Sequence, residues 1–336
     1  VLFRSGALGK IHYAQGLCYK PRRSIGKVSG PQKVPASVDY NLWLGPAPEV
    51  PLSRRSLHYD WHWVFDTGNG DMGNQGIHQM DLCRWALGHD GLSSRILSVG
   101  GRLGYDDDGN TPNTQMTLHE YEDGPPIVFE TRGLPRDRAA QEKGWGMDRV
   151  RGVSIGAWIH CENGSLRLPN YQSAQAFDAA GEMVKEWKGA DDHYANFVDA
   201  VRARDAALLN GDIEEGHVSS ALCHTGNISH QLGAGADPDE LRELWSQLTA
   251  VEEAYDASSV HSIAALMCAS GSRLQKVALI DVALCGMVTG GAEPLPGCEY
   301  SANAVNAISM MTPATATTTP PPTTPAPPPN TKIGRA

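Results

Sequence analysis

The sequence predicts an α+β fold, an open, largely antiparallel mixed sheet with helices on one face. Short apolar runs follow one another between turn signals such as "DDDGNTPN" and "EDGPP", and these short connections suit antiparallel neighbours. Two amphipathic segments come after the runs. The last residues are almost all threonine, proline and alanine, and such a composition cannot bury a core, so we expect a disordered tail.

The first predicted strand is "KIHYAQGLCY", which alternates and ends before Pro21. A glycine- and proline-rich stretch follows and predicts a long, ordered loop packed through Tyr40 and Trp43. The other predicted strands are 95–105, 114–121, 126–133, 153–161 and 164–168. Together they favour one sheet.

Two helices are predicted to cover one face of this sheet. Residues 192–205 place Tyr194, Phe197, Val198 and Val201 on one side, and residues 213–232 stop at Gly233. His217 and His224 are seven residues apart on the second helix, and we expect both to pack against the sheet. The other sheet face has no predicted cover. Exposed apolar sheet surface usually marks an interface, so a homo-oligomer built face to face is expected.

Composition excludes several classes of partner. The 336 residues carry a net charge of −10 and form no basic stripe, so we expect no nucleic-acid partner. No run of 18 apolar residues exists, so we expect no membrane partner and a cytoplasmic location, although the start of the chain leaves an export signal unreadable. Seven scattered cysteines, none in a C-x-x-C pair, are expected to be reduced and mostly buried.

The motif "GNGDMGNQGIHQMDLCRW" places a glycine-rich turn before a helix that opens near His78, with Asn74 as the expected cap. Histidines, tryptophans and aspartates crowd the residues just before it: His58, Trp61, His62, Asp66 and Asp71. A metal site would use His58, His62 and His78, but the strand-like alternation of "HYDWH" disfavours it. In a purely structural interpretation, the aromatic side chains of this segment belong to the core, and its polar side chains cap helices and form turns. A sugar or polyol cleft would cover a ring with aromatic faces and use His78 as general acid/base, because imidazole titrates near neutral pH.

Several segments in order resemble the Gfo/Idh/MocA oxidoreductase family, in particular its planctomycete-type branch. They are "GLCYKPRRSIGK", "VDYNLWLGPAP", "HYDWHWVFDTGNGDMGNQGIHQMDLCRWALG", "SVGGRLGYDDDGNTPNTQ", "ANFVDAVRAR" and "DIEEGHVSSALCHTGNIS". The resemblance implies that residues 1–233 form the substrate-binding and oligomerisation domain of an oxidoreductase acting on a sugar, inositol or related polyol. Residues 234–308 are then a partly helical extension and 309–336 a low-complexity tail.

The resemblance also implies roles for single residues. His78 matches the family's active-site histidine, and Asn74 stands where many members have an aspartate. Asparagine cannot take a proton, so Asn74 can only orient substrate or cap a helix. The full set of expected substrate-binding residues is Lys20, Arg22, His58, Trp61, His62, Asp66, Asp71, Asn74 and Gln75, with no metal.

NAD or NADP is the implied cofactor, bound in the family by a Rossmann domain that precedes the substrate domain. The G-x-G-x-x-G spacing of Gly68, Gly70 and Gly73 does not follow a predicted strand, so it is not read as a dinucleotide fingerprint. The family's E-K-P lysine is not in the chain, and this polypeptide alone is expected to be inactive. The alternative function, from another class, is a cofactor-free carbohydrate-binding or scaffolding protein.

Overall fold

A computed structural model describes residues 6–104, 106–135, 137–189 and 192–233, together with the backbone of 276–281. Its described strands form one nine-stranded sheet in the order β8-β7-β6-β5-β1-β4-β3-β2-β9. The strands are β1 (Ile11–Tyr19), β2 (Arg95–Gly101), β3 (Thr114–Tyr121), β4 (Gly124–Arg132), β5 (Ile155–Cys161), β6 (Gly164–Asn170), β7 (Ser173–Asp178), β8 (Met183–Lys188) and β9 (Lys276–Asp281). β1 pairs with β4 in parallel, and the other pairings among these strands are antiparallel. The predicted α+β class is confirmed.

Helices and short helical turns fill the connections. They are α1 (Tyr40–Leu44), α2 (Gly70–Asn74), α3 (Gly76–Leu87), α4 (Arg138–Glu142), α5 (His193–Ala203), α6 (Ile213–Leu232) and the 3-10 helices Asp60–Trp63 and Ala206–Leu208. Aspartate side chains accept backbone N–H groups at the starts of α1, α4, α5 and α6, as expected where these donors lack helical partners. The alternation of "HYDWH" was a misleading strand signal, because this segment leads into the first 3-10 helix.

The core lies between the sheet and the pair α3 and α6. Met80 and Cys83 of α3 and Leu222 of α6 are fully buried against Ala14 of β1 and Phe129 of β4. The backbone comes close to the Phe129 ring here. A Cβ atom at Gly16 or at Gly76 would lie 2.6 Å from a carbon of that ring, so only glycine lets α3 pack this tightly on β1 and β4.

The cysteine prediction is confirmed for the described residues. Cys18, Cys83 and Cys223 are buried, Cys161 is half-buried, and all four are free thiols. Cys268, Cys285 and Cys298 lie outside the described residues.

Helix α5 does not cover the sheet, and that prediction is wrong. Its contacts among the described elements are made mainly with the adjoining 3-10 helix, and its apolar stripe is exposed. Tyr194 is 75% exposed and Phe197 is 60% exposed. The amphipathic pattern correctly predicted a helix but not the surface against which it would pack.

The prediction of an uncovered second sheet face is also wrong for the strands that motivated it. Val128 of β4 and Trp158 of β5 point away from α3, yet they are buried. Leu17, Tyr19, Val153 and Trp158 form a second small core with Met147 and Val150 from the loop that follows β4. The expected homo-oligomer therefore stays a prediction without this support.

Strands β7 and β8 extend the sheet beyond the predicted ones. All of their side chains except Ala176 are exposed or half-buried, and half of their residues are polar, so these strands lack the apolar runs of the buried strands. The predicted segments 234–308 and 309–336 lie outside the described residues, except for β9.

Among the described helices, none is long and apolar enough to cross a membrane.

Candidate functional site

His78 lies in the first turn of α3 and is exposed. Its imidazole ring packs at a tilt of 57° against the Tyr171 ring, with the two centroids 5.3 Å apart. Asn74 does not cap this helix, contrary to the prediction. It is the last residue of α2, and the residue before α3 is Gln75, whose side chain makes no capping bond. The glycine-rich motif thus forms two short consecutive helices.

Tyr171, which packs against His78, belongs to a group of hydrogen-bonded side chains from three separate elements. Lys20 follows β1, and its Nζ donates to Gln75 Oε1 at 3.1 Å. The Gln75 and Gln79 amides both donate from Nε2 to Tyr171 Oη, at 2.7 and 2.6 Å. β5 runs antiparallel to both β1 and β6, so β1 and β6 end at the same edge of the sheet, where α3 begins. We call Lys20, Gln75, His78, Gln79 and Tyr171 the His78 cluster.

Arg22 and Asp71 form a buried ion pair next to this cluster. Arg22 Nη2 lies 2.6 Å from Asp71 Oδ1, and Arg22 Nε donates to Oδ2 at 3.1 Å. The guanidinium also lies over the Trp63 ring, 5.1 Å from its centroid. Burial opposes the charge of Arg22, but the hydrogen bond and the charge of Asp71 raise its pKa overall. Asp71 is fully buried, so the geometry favours a positioning role for this pair, in which it holds α2 against the end of β1.

The Cys18 thiol adds a third partner, donating to Asp71 Oδ2 at 3.6 Å. Burial and the neighbouring carboxylate raise the pKa of this thiol well above its ordinary value. The thiolate is the reactive form of cysteine, so Cys18 is an inert packing residue at this position.

A cavity of about 690 Å³ opens on the other side of α2. The 40s loop, the segment 61–74 and one stripe of α6 form its walls. Its lining residues are Trp43, Leu44, Pro46, Ala47, Pro48, Trp61, Phe65, Asp66, Thr67, Gly68, Asn69, Gly73, Asn74, His217, Ser220, Ala221, His224, Asn227, Ile228 and Gln231. Of the predicted site residues, Trp61, Asp66 and Asn74 line this cavity, whereas His78, Lys20 and Gln75 do not. The structure therefore divides the predicted site in two.

His58 and His62 belong to neither group. His62 stacks on Trp61 with ring centroids 3.9 Å apart, and its Nδ1 contacts the Tyr59 carbonyl. His58 is exposed, and its carbonyl accepts the Trp61 indole N–H at 3.1 Å. Within the described ranges, no group of three or more His, Cys, Asp or Glu side chains is placed to hold a metal ion.

His217 and His224 are cavity residues, and the prediction that they pack against the sheet is wrong. His217 is exposed and His224 is half-buried. Burial lowers the pKa of His224, so this imidazole is neutral at neutral pH. The sequence contained a pattern that could have predicted these two histidines as cavity residues. Positions 217, 220, 224, 227 and 231 recur at helical spacing and are all polar, which indicates a polar stripe on an otherwise buried helix.

The described residues do not fit NAD or NADP. A dinucleotide site needs a strand, a glycine-rich turn and a helix whose N-terminus meets the pyrophosphate. The parallel neighbours β1 and β4 are separated in the chain by α1 to α3 and two antiparallel strands, and no such unit joins them.

The chain resembles known oxidoreductases in part of its length. Residues 9–147 match the family model described as "Oxidoreductase family, C-terminal alpha/beta domain", of the Gfo/Idh/MocA type. No curated protein matches the chain.

Solved structures with a similar arrangement share little sequence with it. One oxidoreductase structure from Erwinia carotovora atroseptica is 12% identical, with 67% of this chain and 57% of that chain covered and a TM-score of 0.43. Another from Thermotoga maritima is 15% identical, with 68% and 55% covered and a TM-score of 0.42. The WlbA dehydrogenase from Bordetella pertussis, solved with NADH and UDP-GlcNAcA, is 15% identical, with 67% and 55% covered and a TM-score of 0.38.

The chain thus spans little more than half the length of these solved proteins. The assignment of the family rests on the sequence match, and the planctomycete-type branch stays a prediction. The match over residues 9–147 makes this part of the chain similar to the C-terminal alpha/beta domain of Gfo/Idh/MocA oxidoreductases.

Proposed function

We propose that this chain is the substrate-binding part of an NAD(P)-dependent oxidoreductase that acts on a hydroxyl or carbonyl group of a sugar, inositol or related polyol. His78 is the general acid/base. One observation carries the proposal: an exposed imidazole in the first turn of α3 packs against Tyr171, whose hydroxyl is linked through Gln75 to Lys20 by hydrogen bonds.

The chemistry follows from the groups in the His78 cluster. A neutral imidazole accepts the proton of a substrate hydroxyl and can return it in the reverse direction. Lys20 can only donate hydrogen bonds, which fixes Gln75 with Oε1 toward Lys20 and Nε2 toward Tyr171. Tyr171 Oη accepts two amide N–H groups, so its own O–H is left to donate to a substrate oxygen beside His78.

We propose NAD(P) as the cofactor only because the chain resembles a family whose members use it. NAD(P) supplies hydride chemistry when it is bound. Because the described residues do not fit it, we assign its binding to a part of the protein outside them.

The test compares His78→Asn with His193→Asn in the full-length gene product, assayed with NAD⁺ and NADP⁺ against sugars and polyols. Asparagine keeps a hydrogen bond but cannot exchange a proton near neutral pH. We expect His78→Asn to lower turnover roughly 10²- to 10⁴-fold, with little change in melting temperature because the side chain is exposed. His193 is an exposed histidine at the start of α5, and its variant should keep wild-type turnover.

Full activity of His78→Asn per folded molecule would end the catalytic proposal.

The second candidate is a cofactor-free carbohydrate-binding protein, which the lack of a dinucleotide site among the described residues favours. Sugar binding by the full-length protein without any NAD(P)-dependent turnover would favour that candidate.

A further inference from the structure

We propose that the Arg54 guanidinium, which packs on the Trp43 ring, binds the carboxylate group of a small-molecule ligand. The inference concerns binding alone. It does not rest on proton transfer at His78, and Arg54 is not among the residues expected to bind the substrate.

Arg54 differs from the other buried arginines in the described part of the chain. Five arginines are buried there, and four of them form an ion pair with a carboxylate: Arg22, Arg84, Arg102 and Arg132. Arg54 is 4% exposed, and its guanidinium forms neither an ion pair nor a hydrogen bond with the described residues. A buried charge without a counter-charge is strongly unfavourable, so an anion from outside these residues would stabilise it.

The unpartnered nitrogens of Arg54 are the ones that hold carboxylates elsewhere in this protein. They are Nε and Nη2, and both are buried. Arg22 holds Asp71 with the same two atoms, at 3.1 and 2.6 Å, and Arg102 holds Asp107 with them, at 2.6 and 2.7 Å. The parallel N–H groups of this edge match the two oxygens of a carboxylate. The same edge of Arg54 therefore suits a planar carboxylate.

The Trp43 ring fixes the plane of the guanidinium. The Arg54 Cζ atom lies 5.4 Å from the centroid of this ring, and Tyr40 stacks on the ring at an interplanar angle of 10°. Both rings belong to the short helix α1, where the Asp39 side chain accepts the Leu42 N–H at 3.0 Å. A guanidinium held on an aromatic face is already oriented for bidentate hydrogen bonds, so it loses less freedom when an anion binds.

The proposed site lies beside a surface loop. The contact between Trp43 and Arg54 joins the two ends of the segment 45–51, in which Ala47 is half-buried and the other residues are exposed. Neither residue belongs to the core that α3 and α6 form with the sheet. Access for a small ligand therefore requires movement of this loop and not of the core.

Asp60 is the alternative partner from within the chain. It is half-buried in the first 3-10 helix, and its charge acts on Arg54 without an ion pair between the two side chains. Burial lowers the pKa of Arg54, whereas at Arg22 the hydrogen bond and the charge of Asp71 outweigh burial and raise the pKa. The charge of Asp60 thus does not compensate the burial of Arg54.

The test titrates the isotope-labelled full chain with acetate, succinate and citrate. Inorganic phosphate and chloride are the comparison anions, at matched ionic strength. The Nε–H resonance of Arg54 reports binding by NMR, and its absence from the spectrum of Arg54→Met identifies it. We expect at least one carboxylate to shift this resonance saturably, and phosphate and chloride to shift it less.

Substitutions at Arg54 separate binding from folding. Arg54→Met should weaken binding of that carboxylate about tenfold or more, the value of a charged hydrogen bond. Arg54→Lys should weaken it as well, because an ammonium group lacks the bidentate edge. Without carboxylate, Arg54→Met should melt at or above the wild-type temperature, since it removes a buried charge and leaves no partner behind. The carboxylate should raise the melting temperature of the wild type and not that of Arg54→Met.

Two control variants complete the test. Arg55→Met replaces the exposed neighbouring arginine and should bind and melt as the wild type does. Asp60→Asn should retain carboxylate binding. A comparable fall in melting temperature in Arg54→Met and Asp60→Asn would overturn the proposal, because Asp60 would then be the partner of Arg54.

Three further results would also overturn it: no carboxylate shifts the Arg54 resonance more than chloride does, phosphate binds as well as the best carboxylate, or Arg54→Met binds as tightly as the wild type. None of these results concerns His78. Failure of the carboxylate site would leave the proposed function intact, and loss of the catalytic role of His78 would leave the carboxylate site intact.

Discussion

Two residues far apart in the chain, Arg22 and Asp71, connect the end of β1 to the turn before α3. Both are buried, and their two hydrogen bonds are made in a site where water cannot replace a lost partner. The positions of Gln75 and His78 depend on this turn. A buried pair of this kind is costly to break, because the surviving charge stays desolvated.

Asp71→Asn should therefore destabilise the fold by about 3–5 kcal/mol, the cost of leaving a buried charge without its partner. Urea denaturation followed by circular dichroism measures this change. Asp106→Asn is the control, because Asp106 pairs with Lys27 at the surface and is 85% exposed; it should leave the midpoint unchanged. Equal effects of the two substitutions would show that Asp71 is not held as described.

Tyr171 provides the second prediction at this scale. Tyr171→Phe keeps the ring against His78 and removes only the hydroxyl that two glutamine amides contact. We expect kcat/KM of the full-length protein to fall about tenfold, the value of one hydrogen bond to the reacting oxygen. Tyr194→Phe, at a tyrosine that is 75% exposed on α5, should have no effect. Wild-type kinetics in Tyr171→Phe would mean that the hydroxyl does not reach the substrate.

At the scale of elements, α3 and α5 show how one amphipathic pattern leads to different outcomes. α3 packs on β1, β4 and β5, whereas the apolar stripe of α5 faces outward. Helical periodicity reports that one side of a helix is apolar, and it does not report what that side will contact. The predicted helix over 192–205 was correct for this reason, and its predicted position on the sheet was wrong.

Phenylalanines in the two environments should respond differently to truncation. Phe129 is fully buried in the core beneath α3, so Phe129→Ala should cost about 3–5 kcal/mol. Phe197 is 60% exposed, so Phe197→Ser should change the stability of this chain by less than about 0.5 kcal/mol. Denaturant unfolding of both variants is the measurement. A large loss in Phe197→Ser would show that the α5 stripe is covered in the intact protein.

The sequence predicted most of the sheet because buried strands carry strong patterns. β1 to β6 matched predicted runs within a few residues, while β7 and β8, whose side chains are mostly exposed or half-buried, were not predicted. The site was predicted only in part. The motif and the resemblance predicted His78 as a site residue, and this stays a prediction; Tyr171, which packs against it, comes from a turn more than 90 residues later in the chain. The two groups of predicted residues could not be separated either, because neighbouring positions such as Asn74 and Gln75 face different sides of the same turn.

At the scale of the whole molecule, buried histidines make stability depend on pH. His119 is fully buried between β3 and α6, and burial lowers its pKa to about 3. In the unfolded chain a histidine has a pKa of about 6.5. Between these values the unfolded state binds one proton more than the folded state, so stability falls as the pH decreases through this window.

We expect this histidine alone to contribute a slope of about 1.4 kcal/mol per pH unit between roughly pH 6 and pH 4. Unfolding free energies measured across this range in the wild type and in His119→Gln give the slope directly. The variant should lose stability less steeply on acidification, even if it is less stable at pH 7. Parallel curves would show that His119 is not kept neutral by burial.

The central claim is that His78 exchanges the proton of a substrate hydroxyl, and the pH profile of kcat/KM tests it most directly. The measurement uses the full-length gene product, with the wild type and His78→Asn compared from pH 5 to pH 9. The account predicts an acid limb in the wild-type profile, because a general base must be free of a proton in order to accept one. It predicts that His78→Asn lacks this limb and is slower throughout by roughly 10²- to 10⁴-fold. The same limb at an undiminished rate in His78→Asn would contradict it.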